Sequence, residues 1–414
     1  MKRGKFKKRS FLTLGAVMAI FASANYCPAL AANHNLNAFS QLQSALESGG
    51  YYDNGLIEVN SGDRLITSGT LYFGDNGIDV SQTGLTVVRE DLNRYEGYGT
   101  GFNVLNGVEL TLNNVVMSTF QTAVNINNGA TVNFIGGSYT SSVVNSGASN
   151  IQGGTFRNYF QTENTSASMT TNGNVTLNGN ITSGSFTSNG TLNFTGGEIA
   201  AAVNTEINDD TTISNGTLTL DSSDTWSTNA DITLNSGTLN LDGVTQGGTL
   251  NATGGNLNLN GTDLTISTGS QIAGAVNTQL NNGSLTVDGT GSVTLNQGDV
   301  WNVETTLTNG SLTLDNITQG ANASLNVTGG GLVVNSDLNM AEGSMIADVV
   351  NANVSGDLTV SGGDVVFNNG DTWNSDTTLT NGSLALDDMT RGNNASLTAN
   401  SGNLTLGDIT LIQG

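Results

Sequence analysis

The feature that most limits what this chain can fold into is a sentence it writes three times. "DTWSTNADITLNSGTLNLDGVTQGGTLNATGGNLNL" starts at Asp224, "DVWNVETTLTNGSLTLDNITQGANASLNVTGGGLVV" at Asp299 and "DTWNSDTTLTNGSLALDDMTRGNNASLTANSGNLTL" at Asp371. Trp226, Trp301 and Trp373 mark the same point in each copy, which makes a super-repeat of roughly 72 to 75 residues. A second marker keeps a spacing in the same range: "EIAAAVNT" at Glu198, "QIAGAVNT" at Gln271 and "MIADVVNA" at Met345. Repetition on this scale belongs to architectures whose units bury their apolar faces only against neighbouring units.

Inside each copy sits a shorter motif, G-[ST]-L-x-[LV], as in "NGTLTLD" at Asn215, "NGSLTVD" at Asn282, "NGSLTLD" at Asn309 and "NGSLALD" at Asn381. Leu218 and Leu220 alternate with Thr217 and Thr219, the period of a strand with one buried face. Gly and Asn mark tight turns. The expectation is short strands and no helix over most of the chain. An Asn-Gly between two such arms is also a hairpin signal, so antiparallel hairpins compete with a stacked parallel coil. Arms of three or four residues are too short for a stand-alone hairpin, whereas stacked coils pile Leu and Val into one continuous column. The reading is therefore all-β, a right-handed parallel β-helix of roughly 15 to 20 coils, about 70 to 95 Å long at ~4.8 Å per coil.

Four stretches follow from this. Residues 1–32 are a secretory leader, with Lys2, Arg3, Lys5, Lys7, Lys8 and Arg9, an apolar run "FLTLGAVMAIF", and an A-x-A site at Ala29–Ala31. The run is too short to span a bilayer. Residues 33–50 place Leu36, Phe39, Leu42 and Leu46 at helical spacing and read as a helix covering the open first coil. Residues 51–197 carry the motif irregularly. Residues 198–414 carry it regularly, with the last copy incomplete. Two segments break the pattern and read as protruding loops, 89–103 ("REDLNRYEGYGTGFN") and 155–169 ("TFRNYFQTENTSASM").

Charge narrows the partners. Beyond the leader only Arg64, Arg89, Arg94, Arg157 and Arg391 oppose 34 acidic residues, which leaves −29. Such a field repels nucleic acid and anionic lipid, so neither nucleic acid nor membrane insertion is expected. Asp221, Asp288, Asp315 and Asp387 follow equivalent strands, and spreading them over distant coils would keep them beyond the ~8 Å screening length. The sole cysteine, Cys27, lies in the leader and lacks the leucine three residues upstream that a lipid anchor would require. The mature chain thus has no disulfide to rely on.

The residue types restrict chemistry further. His34 is the only histidine and no lysine survives the leader, so a Ser-His-Asp triad, a His or Cys zinc site, a P-loop and a Schiff base have no candidates. No cofactor or metal is expected. Two carboxylates suffice for some glycosidases, and Asp209/Asp210 and Asp387/Asp388 are candidate pairs; the plainer reading is solvated turn residues. Trp226, Trp301 and Trp373 form a candidate row of sugar platforms, or else fill the coil interior. Arg94, Tyr95 and Tyr98 in one loop, and Arg157, Tyr159 and Phe160 in the other, are residue types enriched at binding hot spots, or ordinary loop residues.

With its leader, terminal helix and G-[ST]-L-x-[LV] coils, the chain resembles the passenger region of a bacterial autotransporter or a related β-helical adhesin, along essentially the whole mature length. The resemblance implies cell-surface or extracellular display; no barrel strands appear before Gly414, so an outer-membrane translocator in cis is expected if the chain is a fragment of a longer protein, and another export route otherwise. The expected function is non-enzymatic adhesion or cell–cell contact, with a surface receptor, a glycan or a second copy as partner. The alternative is a polysaccharide-active lyase or hydrolase, since pectate-lyase-like proteins share the solenoid; such lyases use Arg or Lys as base, and here the five arginines are widely spaced. A third idea, ice binding by Thr ranks, requires consecutive Thr on one face, which the many Asn and Asp interrupt.

Overall fold

The alternation of Leu with Thr or Asn becomes strand, as its period demands. The computed structural model describes residues 100–118, 120–162, 164–347 and 351–407, together with the backbone of strands at 33–36, 64–67, 71–73, 78–80, 85–88, 92–94 and 410–411. The chain is an all-β parallel solenoid of about 15 turns, with no helix among the described residues. Thr217–Asp221, Thr238–Asp242 and the start of Gly255–Ile266 stack in parallel register. Leu218, Leu239 and Leu257 form one buried rank, and Leu220, Leu241 and Leu259 the next.

The Asn-Gly pairs turn corners and close no hairpin. Asn282-Gly283 and Asn381-Gly382 lie inside the continuous strands Val276–Val287 and Asp376–Leu386. Gly382 has φ +84°, and a Cβ there would run into the Gly363 carbonyl oxygen of the neighbouring coil. Corner stacks on corner too closely for any side chain, which is why glycine recurs at coil spacing.

The chain falls into two compact units, Met1–Asp209 and Asp210–Gly414. In the second, three columns of strands form the coil. The first column runs from Thr211–Ile213 through Ile232–Leu234, Leu250–Ala252, Ser311–Leu314, Gly331–Val334 and Thr372–Trp373 to Thr390–Arg391 and Thr410–Leu411. Successive partners in it are roughly 18 to 21 residues apart, one winding of a solenoid. The super-repeat is therefore not a whole number of coils. From Trp301 to Trp373 the chain advances through eleven face positions, which is three coils and two faces. Trp301 lies in the second column, beside Leu280 and Gln319. Trp373 lies in the first, beside Val354 and Arg391. Each copy of the repeated sentence thus faces a different side. The acids are spread accordingly: Asp221 ends a second-column strand, Asp315 a first-column one, and Asp288 and Asp387 third-column strands five coils apart. Asp242 is the exception, directly beside Asp221.

The first unit is wound the same way but less evenly. In the column that holds Leu85–Val88, Glu109–Asn113, Thr131–Ile135 and Ala148–Ile151, Leu110 pairs back to Leu85 and on to Val132, but Thr131 reaches Ala148 over a visibly shorter coil. Its core is aromatic. Phe134, Tyr139, Phe156 and Phe160 are fully buried; Tyr139 stacks on Phe156 with centroids 4.8 Å apart, and Phe134 meets both edge-on.

Two expectations are revised. Asn33–Leu36 is a strand in register with Arg64–Thr67, so no helix begins at residue 33; the rest of the expected helix lies outside the described residues. The expected loop 155–169 is mostly ladder: Gly154–Thr162 is one strand and Ser168–Thr171 another. Its irregularity is a bulge, since Phe156 and Phe160 pair with Leu177 and Gly179, leaving three residues opposite one. Within 89–103, Leu92–Arg94 and the residues from Thr100 are likewise strands.

Candidate functional site

The three tryptophans are core residues, each 1 to 4 % exposed. Their indole N–H groups are spent inside the coil: Trp301 donates to Thr305 Oγ1 (2.9 Å), Trp373 to Thr377 Oγ1 (2.7 Å) and Trp226 to the Ala230 carbonyl (2.6 Å). The row of sugar platforms is corrected on this ground; a ring enclosed by its own coil offers no face to a ligand. The aspartate two residues earlier explains the motif. Asp299 accepts backbone N–H from Thr278 and Asn296 (both 2.7 Å), and Asp371 accepts from Ala352 (2.7 Å) and Asn368 (2.9 Å). Each clips two coils together. Burial pushes both carboxyls above the usual carboxylate range, and the backbone donors only partly oppose it.

Of the loop candidates, only Arg157 and Phe160 have described side chains. Arg94 ends the strand Leu92–Arg94, while Tyr95 and Tyr98 lie outside the described residues. Arg157 is exposed on the bulge, its carbonyl accepting from Asn178 Nδ2 at 3.2 Å. Phe160 points inward with no exposure and belongs to the aromatic cluster. The Tyr159 side chain lies outside the described residues. Asp388, in one candidate carboxylate pair, is an exposed turn residue at φ +48°, the backbone position that Gly243 (φ +76°) and Asn316 (φ +56°) hold in the other copies. Among the described residues, no group of three or more His, Cys, Asp or Glu gathers to hold a metal.

A cleft opens instead where one copy departs from its sisters. After the left-handed turn the second copy reads "TQGANASL" from Thr318 and the third "TRGNNASL" from Thr390, but the first reads "TQGGTL" from Thr245, two residues shorter. In the longer copies Thr318–Gln319 and Thr390–Arg391 are ladder strands, and Ala323 and Ala395 are buried in the turn that follows. In the short copy residues 244–249 form no ladder strand of this kind. Gly247 and Gly248 instead press against the Trp226, Ser227 and Ala230 carbonyls, closer than any Cβ would allow. Beside this turn lies a cleft of about 580 Å³, lined among others by Asp231, Val244, Gln246, Thr249, Asp263 and Thr265.

Its parts are fixed in place. Gln246 clamps the neighbouring coil: Oε1 accepts the Thr265 N–H (2.6 Å), and Nε2 donates to the Thr265 carbonyl (2.9 Å) and the Gly248 carbonyl (3.1 Å). Gln319 grips Asn339 the same way, at 2.7 and 3.0 Å. Asp231 Oδ1 accepts the Thr249 N–H (2.9 Å), and Asp263 Oδ1 accepts from Ser284 Oγ (2.8 Å). Val244, only 2 % exposed, closes the floor, while both aspartates are exposed. No basic or aromatic residue lines the cleft.

Comparison with known proteins returns no relative. The sequence matches no protein-family model, and neither the curated proteins nor the solved structures contain a match. Geometry alone therefore carries the functional reading. The cleft escaped the reading of the sequence because attention to what repeats discounts a two-residue shortening. The signal was present in the alignment of "TQGGTL" with "TQGANASL".

Proposed function

We propose that this chain is an exported, non-catalytic β-solenoid that works by contact, in adhesion to a surface or between cells, in the manner of an autotransporter passenger region. The observation that supports this best is the order of its outward side chains. Asparagines and threonines join across neighbouring coils in ladders: Asn125 to Asn103 (2.8 Å), Asn150 to Asn133 (2.9 Å), Asn240 to Thr219 (2.9 Å), Asn258 to Asn240 (2.7 Å) and Asn277 to Asn256 (3.0 Å). Laddered side chains have already lost their rotamer freedom, so a partner that docks on them meets a smaller ordering cost. The leader supplies export, and the crossover rule favours right-handed winding for parallel strands joined in this way. The partner in this reading is a surface receptor, a glycan or a second copy.

The test is binding of the purified, labelled mature chain to panels of host and bacterial cells. Saturable binding to at least one cell type is expected. A chain that adheres to none of them contradicts the proposal.

A further inference from the structure

We propose that the cleft beside Gln246 binds a short neutral oligosaccharide. The inference rests on the contact reading above and gives it a ligand class and an address. A stacked coil gains by matching its neighbours, so a copy that gives up two residues of ladder and leaves open space forfeits packing that its sister copies keep. The space that results is ordered. Gln246 holds one wall through both backbone groups of Thr265, and Asp231 is tied to Thr249.

The lining selects the ligand. Asp231, Asp263, Thr245, Thr249, Thr265 and Ser267 offer carboxylate and hydroxyl oxygens, which suit a ligand carrying many hydroxyls that both donate and accept. With no cation in the lining and a strongly acidic chain around it, uronates, sialylated sugars and phosphates are repelled. An apolar ligand would leave these oxygens desolvated and unpaired. Ammonium recognition by an aromatic cage has no aromatic here. At about 580 Å³ the cleft falls in the roughly 300–1,000 Å³ range of small-molecule sites.

The experiment compares the mature chain with two variants on an array of neutral and acidic oligosaccharides, in parallel with the cell-binding assay. In the first variant Gly247–Thr249 is replaced by Gly-Ala-Asn-Ala-Ser, the turn that the second copy carries natively, so the cleft is filled by a turn this fold already tolerates. The second is Asp263→Asn, which keeps the size of the side chain. A thermal melt confirms that each folds. Neutral glycans are expected to bind the mature chain, at least tenfold more weakly to Asp263→Asn and not at all to the turn graft. Equal binding to the graft overturns the site. So does a cleft that takes only calcium or spermidine, or an array with no neutral-glycan signal. Release of new reducing ends from a bound glycan overturns the non-catalytic reading. Cell adhesion that persists in the graft while no glycan binds sinks the site and spares the contact function; absence of adhesion in the unaltered chain sinks the contact function, and the array still reports on the cleft.

Discussion

Tyr139 carries a phenol that is fully buried and has no hydrogen-bond partner, and burial drives its ionisation far above the usual range. Its ring is well used, stacked on Phe156 and edge-on to Phe134, while its hydroxyl is a desolvated liability. Tyr139→Phe is therefore expected to leave the fold intact and to stabilise it by about 1 kcal/mol, measured by denaturant unfolding; a loss of that size would show that the hydroxyl has a partner. At this scale the sequence was an uneven guide. Leu218 and Leu220 declared their burial through strict alternation. Phe160 did not, because it follows a bulge in which the alternation slips and Arg157 and Asn158 are exposed. The tryptophans left two readings open, surface platform or coil interior, and their burial together with the aspartate that serves backbone N–H groups of two coils selects the interior one.

At the scale of the element, the side-chain clamps stand in for ladder bonds. Gln319 accepts one backbone N–H and donates to the Asn339 and Ala323 carbonyls. Gln319→Ala is expected to cost about 1–2 kcal/mol and to speed amide exchange at Asn339, with the rest of the second column unchanged. The buried aspartates make a different prediction. Their folded ionisation lies above the unfolded value, because burial penalises the charge. The penalty is present at neutral pH and is relieved as pH falls through the folded value toward the unfolded one, near 4. The melting temperature should therefore rise as the pH is lowered through the folded value toward about 4. Asp371→Asn, which keeps an acceptor for one of the two backbone donors, should show a smaller rise than the parent. An unchanged pH profile in that variant would assign the response to the net surface charge instead. Asp288 has the opposite sign, held low by the Gly289 N–H and by Thr308 and Asn309, and its contribution is lost as pH falls through its lowered value. The turn chemistry behind these elements was legible in outline. The left-handed position that takes Gly243, Asn316 and Asp388 falls on residue types known to tolerate it, but nothing local said which column each turn would serve.

At the scale of the molecule, the repeat told more than any single motif. It implied stacked coils, strands of one direction and a polar exterior, and these are present in both units, each with its own column of buried Leu, Val, Ile and aromatic side chains. It concealed the phase. Because the super-repeat is not a multiple of the coil, each copy turns to another face. Equivalent features then point in three directions, and no straight row of them exists for a single linear ligand to follow. That relation depends on the length of every turn, which only the three-dimensional stacking sums. The short turn at Thr245–Thr249 is the place where a copy departs from its own sentence and leaves a cleft open.

In the solenoid, neighbours in space are one coil apart in sequence and run in the same direction. Paired cysteines test this directly, since the only native thiol, Cys27, lies far from these positions in the sequence. Thr313 and Val333 face outward side by side in adjacent coils, and strands about 4.8 Å apart lie within disulfide reach. Thr306 and Thr313, by contrast, would sit opposite each other only if Asn309-Gly310 closed an antiparallel hairpin. Mild oxidation should cross-link Thr313→Cys with Val333→Cys and leave Thr306→Cys with Thr313→Cys open. The reverse pattern would contradict the solenoid and everything built on it.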